Sequence, residues 1–302
     1  MTMPFNLYQE IASIAARHAT RDGEVQTAIE TLGISRRSTP SAPCHGSYRP
    51  CLAMVIQGSK SVQLGTDTIN YGAGDYLLTS LDLPVAWRVV EASEEVPHFC
   101  IGLAIDSEKL LDLMSRMPIE RSQEPVSGQR GIVVNAATPE LLDAAIRLMR
   151  LLDRPADIAA MAPLIEQEIL YRILTGPAGG QLMNIVAAGS HGNRIARAIS
   201  WLRENFARQL RIEELAEHIG MSVSSFHHHF KTITAMTPIQ YQKQLRLHEA
   251  RRLMLLERLD AGTAGHRVGY QSPSQFSREY SRFYGMSPSR DVDASREISA
   301  AG

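Results

Sequence analysis

Ile212-Glu-Glu-Leu-Ala-Glu-His-Ile-Gly220, then Met-Ser-Val-Ser-Ser-Phe226-His-His-His-Phe230, then Ala235-Met-Thr-Pro238, is a passage the chain states twice. The second copy runs Ala261-Gly-Thr-Ala-Gly-His-Arg-Val-Gly269, Tyr-Gln-Ser-Pro-Ser-Gln-Phe276-Ser-Arg-Glu-Tyr280 and Gly285-Met-Ser-Pro288. Ile219 and Gly220 recur as Val268 and Gly269 at an offset of 49. Phe226, Phe230, Met236 and Pro238 recur as Phe276, Tyr280, Met286 and Pro288 at an offset of 50, so the second turn has gained a residue. Each copy reads as a short helix, a turn with Gly and Ser, and a second helix, which is a helix-turn-helix. Two units suit a protein in which each reads a short stretch of major groove and neither suffices alone.

Ile212, Leu215, Ala216 and Ile219 fall at helical spacing on one apolar stripe. Gly220 ends that helix, and Ser222 is placed to cap the next, with Ser272 equivalent in the second copy. The pairs Phe226/Phe230 and Phe276/Tyr280, each four apart, pin one face of each second helix to a core. The outer faces carry Ser224, Ser225, His227, His228 and Lys231 in one copy and Ser274, Gln275, Arg278 and Arg282 in the other, side chains suited to base edges and phosphates. Adjacent histidines on a helix diverge by about 100°, so His227, His228 and His229 are not expected to share a metal ion. Gly262 and Gly265 lie where larger residues are expected, and each Gly costs a helix interior roughly 1 kcal/mol relative to Ala. The second unit is therefore expected to be looser than the first.

Charge points to the same partner. Residues 190–290 hold 15 Lys and Arg against 8 Asp and Glu, whereas residues 1–189 hold 15 against 21. A net charge of −1 thus conceals a basic domain joined to an acidic one, as in a module that meets phosphate beside one that does not.

Residues from about 194 to 290 resemble the DNA-binding domain of the AraC/XylS family of bacterial transcription regulators. The resemblance rests on Trp201-Leu, Ala-Arg-Arg-Leu253, Val268-Gly-Tyr270 and Ser272-Pro-Ser-Gln-Phe-Ser-Arg278, and covers about a third of the chain. It implies base contacts from Ser224, His227, His228, Ser274, Gln275 and Arg278. It implies phosphate contacts from Ser222, Lys231, Arg252, Ser272 and Arg282. The helix from Tyr241 to Leu256 would join the two units, packing Leu245, Leu253, Met254 and Leu256 while Lys243, Arg246, Arg251 and Arg252 stay wet or touch phosphates.

The first 175 residues read differently. Runs at 51–57, 60–64, 66–71, 75–79, 85–90 and 98–104 alternate with turn signals, which predicts β-hairpins closing an antiparallel barrel or sandwich. Gly72-x-Gly-Asp75-Tyr resembles a cupin turn, and the stretch from Pro43 to Pro84 resembles the N-terminal domain of one AraC subfamily. Helices follow at 107–117, 139–152 and 159–174. Leu141, Leu142, Ala145, Leu148, Met149 and Leu152 form a broad stripe that serves either dimerisation, as the resemblance implies, or packing on its own barrel. The expected organisation is α+β: a cupin-like antiparallel β-barrel with C-flanking helices over 1–175, and a linker over 176–192. An all-α domain over 193–290 follows, with its two units at 211–234 and 260–284 joined by a linker helix, then a flexible tail over 291–302.

The barrel region holds His45 and His98 without the doublet of a cupin metal cage, so neither catalysis nor a cofactor is expected. Cys44, Cys51 and Cys100 all lie in this part, and an odd count with no signal peptide argues against a disulfide framework and for a cytoplasmic protein. Cys51 and Cys100 read as small core residues. Cys44, beside His45 in a Pro-rich loop, is a candidate reactive thiol for an aldehyde or other electrophile. Tyr48 and Trp87 line a pocket or fill the core, so Cys44, His45, Tyr48, Cys51, Trp87 and His98 make up the candidate sensing set. The partners implied are double-stranded DNA, a small-molecule effector, RNA polymerase and a second copy of the chain, with no membrane. The alternatives are an architectural DNA-binding protein without sequence preference, and a barrel enzyme fused to a DNA anchor.

Overall fold

The computed structural model describes residues 4–117, 130–187 and 189–300. The chain divides into two compact units, Met1–Asn193 with Thr232–Ala235, and Arg194–Lys231 with Met236–Gly302. The first opens with helix α1 (Pro4–His18) and strands β1 (Gly23–Gln26), β2 (Leu32–Arg37), β3 (Cys44–Tyr48), β4 (Cys51–Gln57) and β5 (Ser59–Leu64). Strands β6 (Asp67–Gly72), β7 (Asp75–Thr79), β8 (Leu83–Glu91) and β9 (His98–Ala104) follow. Helix α2 (Ser107–Arg116), strand β10 (Ile132–Ala136) and helices α3 (Pro139–Arg150), α4 (Pro155–Thr175) and α5 (Gly179–Val186) complete the unit.

The strands form two antiparallel sheets, ordered β1-β2-β9-β4-β7-β10 and β3-β8-β5-β6. Strand alternation sorts the larger sheet: Leu52, Met54, Leu78, Phe99, Ile101 and Leu103 join the core beneath the helices. Cys51, Ala53, Val55, Leu77, Thr79 and Cys100 take the other face, toward the second sheet. The hairpin expectation holds for β5 with β6 but not for β4 with β5, β6 with β7 or β8 with β9, which carry the chain between sheets. A turn signal marks where a chain reverses, not which strand it then joins. The all-apolar run Leu52–Ile56 makes β4 a central strand already flanked by β9 and β7, so β5 has no edge there.

One open alternative is decided and two further expectations are corrected. Thr138 caps α3 by accepting from Leu141 N, Pro139 starts it, and its stripe is buried in the unit's own core against α1 and α4. That leaves this stripe unavailable to a second copy. Residues 176–192 are not a plain linker, because Ala178 and Leu182 bury in the same core and carry α5 with them; Ala188 lies outside the described residues. Cys44 opens strand β3 rather than sitting in a loop before a strand, with Trp87 of β8 as its partner in register. The helix α1 and the strands β1, β2, β3 and β10 are not among the sequence expectations.

The second unit contains α6 (His191–Glu204), α7 (Ile212–His218), α8 (Val223–Thr234), α9 (Pro238–Leu256), α10 (Ala261–Arg267), α11 (Pro273–Tyr284) and α12 (Pro288–Ala300). The repeat runs further than the motif, since Pro238 starts α9 after Met-Thr and Pro288 starts α12 after Met-Ser. Thr237 and Gln240 close a capping box on α9. Residues 291–300 are therefore helix and not a loose tail. Asp291 is buried, accepts 2.6 Å from Arg251 Nε and accepts 2.6 Å from the Tyr280 hydroxyl. Ala301 and Gly302 lie outside the described residues.

Gly265 also has a physical reason. A Cβ there would meet Cγ of Phe276 at 2.8 Å, so the missing side chain lets the α11 ring pack on the α10 backbone. Ala264, Val268, Tyr270, Phe276 and Tyr280 bury together with Leu247, Leu253 and Met254 of α9. The second unit is therefore close-packed, against the expectation of looseness. On α9, Leu247 takes a core position while Leu256 is 72% exposed. Arg246 donates to the carbonyls of Phe206, Ala207, Arg208 and Gly269, so it clamps loops instead of standing in water.

Candidate nucleic-acid interface

Phe226 and Phe230 are fully buried, their rings 5.4 Å apart and edge-on, with Phe230 also 5.5 Å from Tyr241 of α9. This fixes the roll of α8 and turns the opposite side outward. Ser224, His227, His228 and Lys231, at i, i+3, i+4 and i+7, share that outer side, with Ser224, His228 and Lys231 exposed and His227 half-buried. Ser222 Oγ accepts 3.3 Å from Ser225 N at the start of the helix, where free backbone N–H groups favour phosphate.

The second unit repeats the arrangement. Ser272 caps α11 through Gln275 N, Pro273 is at its first turn, and Phe276 and Tyr280 are buried. Ser274, Gln275, Arg278 and Arg282 are exposed on one side. Among the described residues, Arg278 and Arg282 have no carboxylate partner, so both guanidinium groups are open to an incoming acceptor. The Gln275 amide leans on Glu279 at 3.4 Å, and Glu279 is paired with Lys243 at 3.0 Å.

Arg252 does not fit its expected role. It pairs with Glu249 at 2.8 Å and Glu257 at 2.9 Å, so two carboxylates already meet the charge a phosphate would use. Arg251 is likewise committed, to Asp291 and Ser295. Charge counting in sequence cannot separate such paired cations from open ones.

In the first unit, the structure gathers Tyr48, Cys51, Trp87 and His98 around a residue outside the sensing set, Lys60. Its Nζ lies 4.3 Å from the Trp87 ring centroid and 5.4 Å from that of Tyr48. The signal was present: Lys60 alternates with Val62 and Leu64 on the apolar face of β5, where a cation is unexpected. Burial pushes the Tyr48 phenol up to about 12 and the Cys51 thiol up to about 11, so both stay protonated at neutral pH. A cation–π contact offers ~0.5–2 kcal/mol, less than the several kcal/mol that removing an ammonium from water costs. Cys44 and His45 stand apart from one another. Neighbours in a strand point to opposite faces, so His45 is not beside the Cys44 thiol, which lies 3.6 Å from Ala42 O.

Burial, with Lys60 and Arg37 nearby, lowers the His98 pKa from 6.5 to about 4. The folded unit therefore keeps His98 neutral in a range where the unfolded chain takes up a proton, and stability falls as pH drops below 6.5. Urea unfolding at pH 7 and pH 5 should show a loss approaching ~1.4 kcal/mol per pH unit below the unfolded pKa. His98→Gln should flatten that slope; an unchanged slope would assign it to other groups.

Paired helix-turn-helix units with outward cationic faces, in one chain with a two-sheet barrel, define a DNA-binding transcription regulator. The chain belongs to the AraC-type transcriptional regulators, a family of regulators and not of enzymes. A profile described as the AraC-type transcriptional regulator N-terminus matches residues 28–181, and a helix-turn-helix domain profile matches residues 215–292. The HTH-type transcriptional activator RhaS of Salmonella schwarzengrund is 27% identical over 158 residues, 52% of this chain and 56% of RhaS. The HTH-type transcriptional regulator ExsA of Pseudomonas aeruginosa is 25% identical over 184 residues, 60% of this chain and 64% of ExsA. The chain thus spans a little over half the length of the curated relatives it matches. In fold it is similar to ToxT of Vibrio cholerae in its unsaturated fatty acid-bound form, with a TM-score of 0.54, 9% identity, and 86% and 94% of the two chains covered. ToxT bound to (E)-4-(8-methylnaphthalen-1-yl)but-3-enoic acid gives a TM-score of 0.56 at 10% identity, covering 86% and 97%. Among the described residues, no helix is long and apolar enough to cross a membrane, and no three His, Cys, Asp or Glu side chains are grouped to hold a metal ion.

Proposed function

We propose that this regulator reads a specific DNA site through both recognition helices while its barrel responds to a small molecule. The observation that carries the reading is the duplicated outer face. Ser224, His227 and His228 on α8, and Ser274, Gln275 and Arg278 on α11, project from helices whose other sides are locked by buried aromatic pairs. Ser222, Lys231, Ser272 and Arg282 flank them at positions suited to phosphate. An architectural protein would have less use for two such faces of different composition.

Arg278 tests it. Arginine grips guanine through two acceptors, so Arg278→Ala should weaken operator binding by ~1–3 kcal/mol and relax preference at one base pair. Lys231→Ala should weaken all sequences alike and lower the salt dependence by about one phosphate contact. Binding by selection on randomised sites separates the two. An equal loss on every sequence from Arg278→Ala would remove that residue from base reading.

The barrel's role as a sensor is supported by its buried polar interior and by the small organic ligands held by ToxT, a protein of similar fold. Cys44, half-buried in β3 with His45 on the opposite face, is proposed to meet an electrophile without an adjacent base; Cys44→Ser should then abolish any aldehyde response. For self-association, α4 replaces α3. Met161, Leu164 and Tyr171 fall within one exposed stripe of α4, Leu164 being 60% exposed. Leu164→Glu should convert a dimer to a monomer in sedimentation equilibrium without lowering the melting temperature. An unchanged mass would place the dimer contact elsewhere.

A further inference from the structure

The interior of the two-sheet barrel contains a buried cation. Lys60 is 6% exposed and, among the described residues, no carboxylate pairs with it. Its surroundings are hydrogen-bond donors. The hydroxyls of Tyr48, Tyr71 and Thr79 are buried; Tyr48 meets Lys60 and Thr79 meets Cys51, while the Tyr71 hydroxyl has no hydrogen-bond partner among the described residues. Tyr71 is the register partner of Lys60 on β6, and Thr79 is that of Cys51 on β7, so these groups face one another from the two sheets. Cys51 is held protonated by burial, as is Cys100, and His98 is held neutral, so Lys60 supplies the positive charge of this interior, felt by the exposed Glu24 carboxylate but not paired with it.

The sheets also leave room beside that charge. Gly46 pairs with Val85 on the interior face of the smaller sheet, and Gly102 pairs with Ala53 on that of the larger. A Cβ at either position would meet nothing within 4 Å. In a well-packed core an inward Cβ meets neighbours at van der Waals distance. Two half-buried glycines with open space at their inward positions, in a barrel that also holds a buried ammonium without a carboxylate and an unpartnered Tyr71 hydroxyl, leave this interior able to admit a small ligand.

We propose that the barrel binds a small organic monocarboxylate, its carboxylate paired with Lys60 Nζ and accepting from the Tyr48 and Tyr71 hydroxyls. The apolar body of the acid lies against the Trp87 ring and along the open faces of Gly46 and Gly102. This assignment rests on the barrel being the sensor and adds the sign and number of the ligand's charges. Burying an ammonium without an anion is unfavourable, and a single carboxylate both neutralises it and gives the hydroxyls an acceptor. A neutral sugar leaves Lys60 unpaired, and a phosphate monoester brings a second charge that nothing here meets.

The test uses the full-length protein, with benzoate, phenylacetate, hexanoate and decanoate as probes and the corresponding primary amides as neutral counterparts. Binding is followed by calorimetry and by Trp87 fluorescence in a Trp201→Phe background. At least one acid should bind, its amide should bind ~10-fold or more weakly, and Lys60→Met should remove that preference. Tyr71→Phe, which keeps the shape, should lower acid affinity several-fold. Without ligand, Lys60→Met should raise the melting temperature, because it removes an unpaired buried charge; a fall would mark Lys60 as a structural brace and overturn the assignment. Amides binding as well as acids, or acids binding Lys60→Met as they bind the parent, would overturn it while leaving the barrel a sensor. No binding by any acid or amide would contradict both readings.

Discussion

Asp291→Ala should destabilise the DNA-binding unit by ~3–5 kcal/mol, the range for breaking a buried ion pair and stranding its partners. Asp291 is 8% exposed and accepts from Arg251 Nε at 2.6 Å, Arg251 Nη2 at 3.2 Å and the Tyr280 hydroxyl at 2.6 Å. Removing the carboxylate leaves a buried phenol without its acceptor and a half-buried guanidinium with Ser295 Oγ in place of its ion pair. In the parent protein the Tyr280 phenol is held well above its ordinary range by burial and then by this hydrogen bond. Because Tyr280 lies on α11, whose outer side carries Arg278, loss of the brace should also weaken DNA binding. Urea unfolding followed through Trp201, with Trp87 replaced by Phe, reads the effect. A loss under ~1 kcal/mol would mean that the pair behaves as an exposed one.

Gly269→Ala should be comparably damaging, ~2–6 kcal/mol from backbone strain and steric overlap together. Gly269 sits at φ +95°, which only glycine adopts without strain. A Cβ there would lie 2.2 Å from the carbonyl oxygen of Ala207, a backbone atom with little freedom to withdraw. Its repeat partner Gly220 also has positive φ, +68°, but a Cβ there meets nothing within 4 Å. Gly220→Ala should therefore cost only ~1–2 kcal/mol, the left-handed penalty alone. Equal losses at the two positions, measured by the same unfolding assay, would contradict this division between strain and overlap.

The helix-turn-helix units were legible because each is a local object. Spacing of Phe226 and Phe230, glycine at the turn and serine at the cap are all set within about 25 residues, and duplication checks the reading internally. The strands 51–57, 75–79 and 98–104 were legible for the same reason, each being apolar and bounded by turns. Sheet order was not. Whether β4 takes β5 or β9 as neighbour depends on residues some 40 positions away, which no local pattern records. The start of helix α12 is written in the repeat, since Ser287-Pro288 repeats Thr237-Pro238 and announces the same helix start.

For the interface, residue type and helical side were readable, but pairing was not. Arg252 and Arg278 look alike in sequence; only folding shows that one meets Glu249 and Glu257 while the other stays open. In the barrel, cysteines and histidines are marked by residue type alone, whereas Lys60 gains its significance from burial. Alternation along β5 had already put that lysine on the buried face.

The most direct test of the account is the affinity of the purified protein for DNA from upstream of its own gene, against scrambled DNA of equal composition, at physiological salt. Sequence-specific reading by both helix-turn-helix units predicts a specificity ratio of ~10³ or more, reduced by Arg278→Ala. Equal, weak and steeply salt-dependent binding to both DNAs, unchanged by Arg278→Ala and by carboxylate ligands, would contradict it.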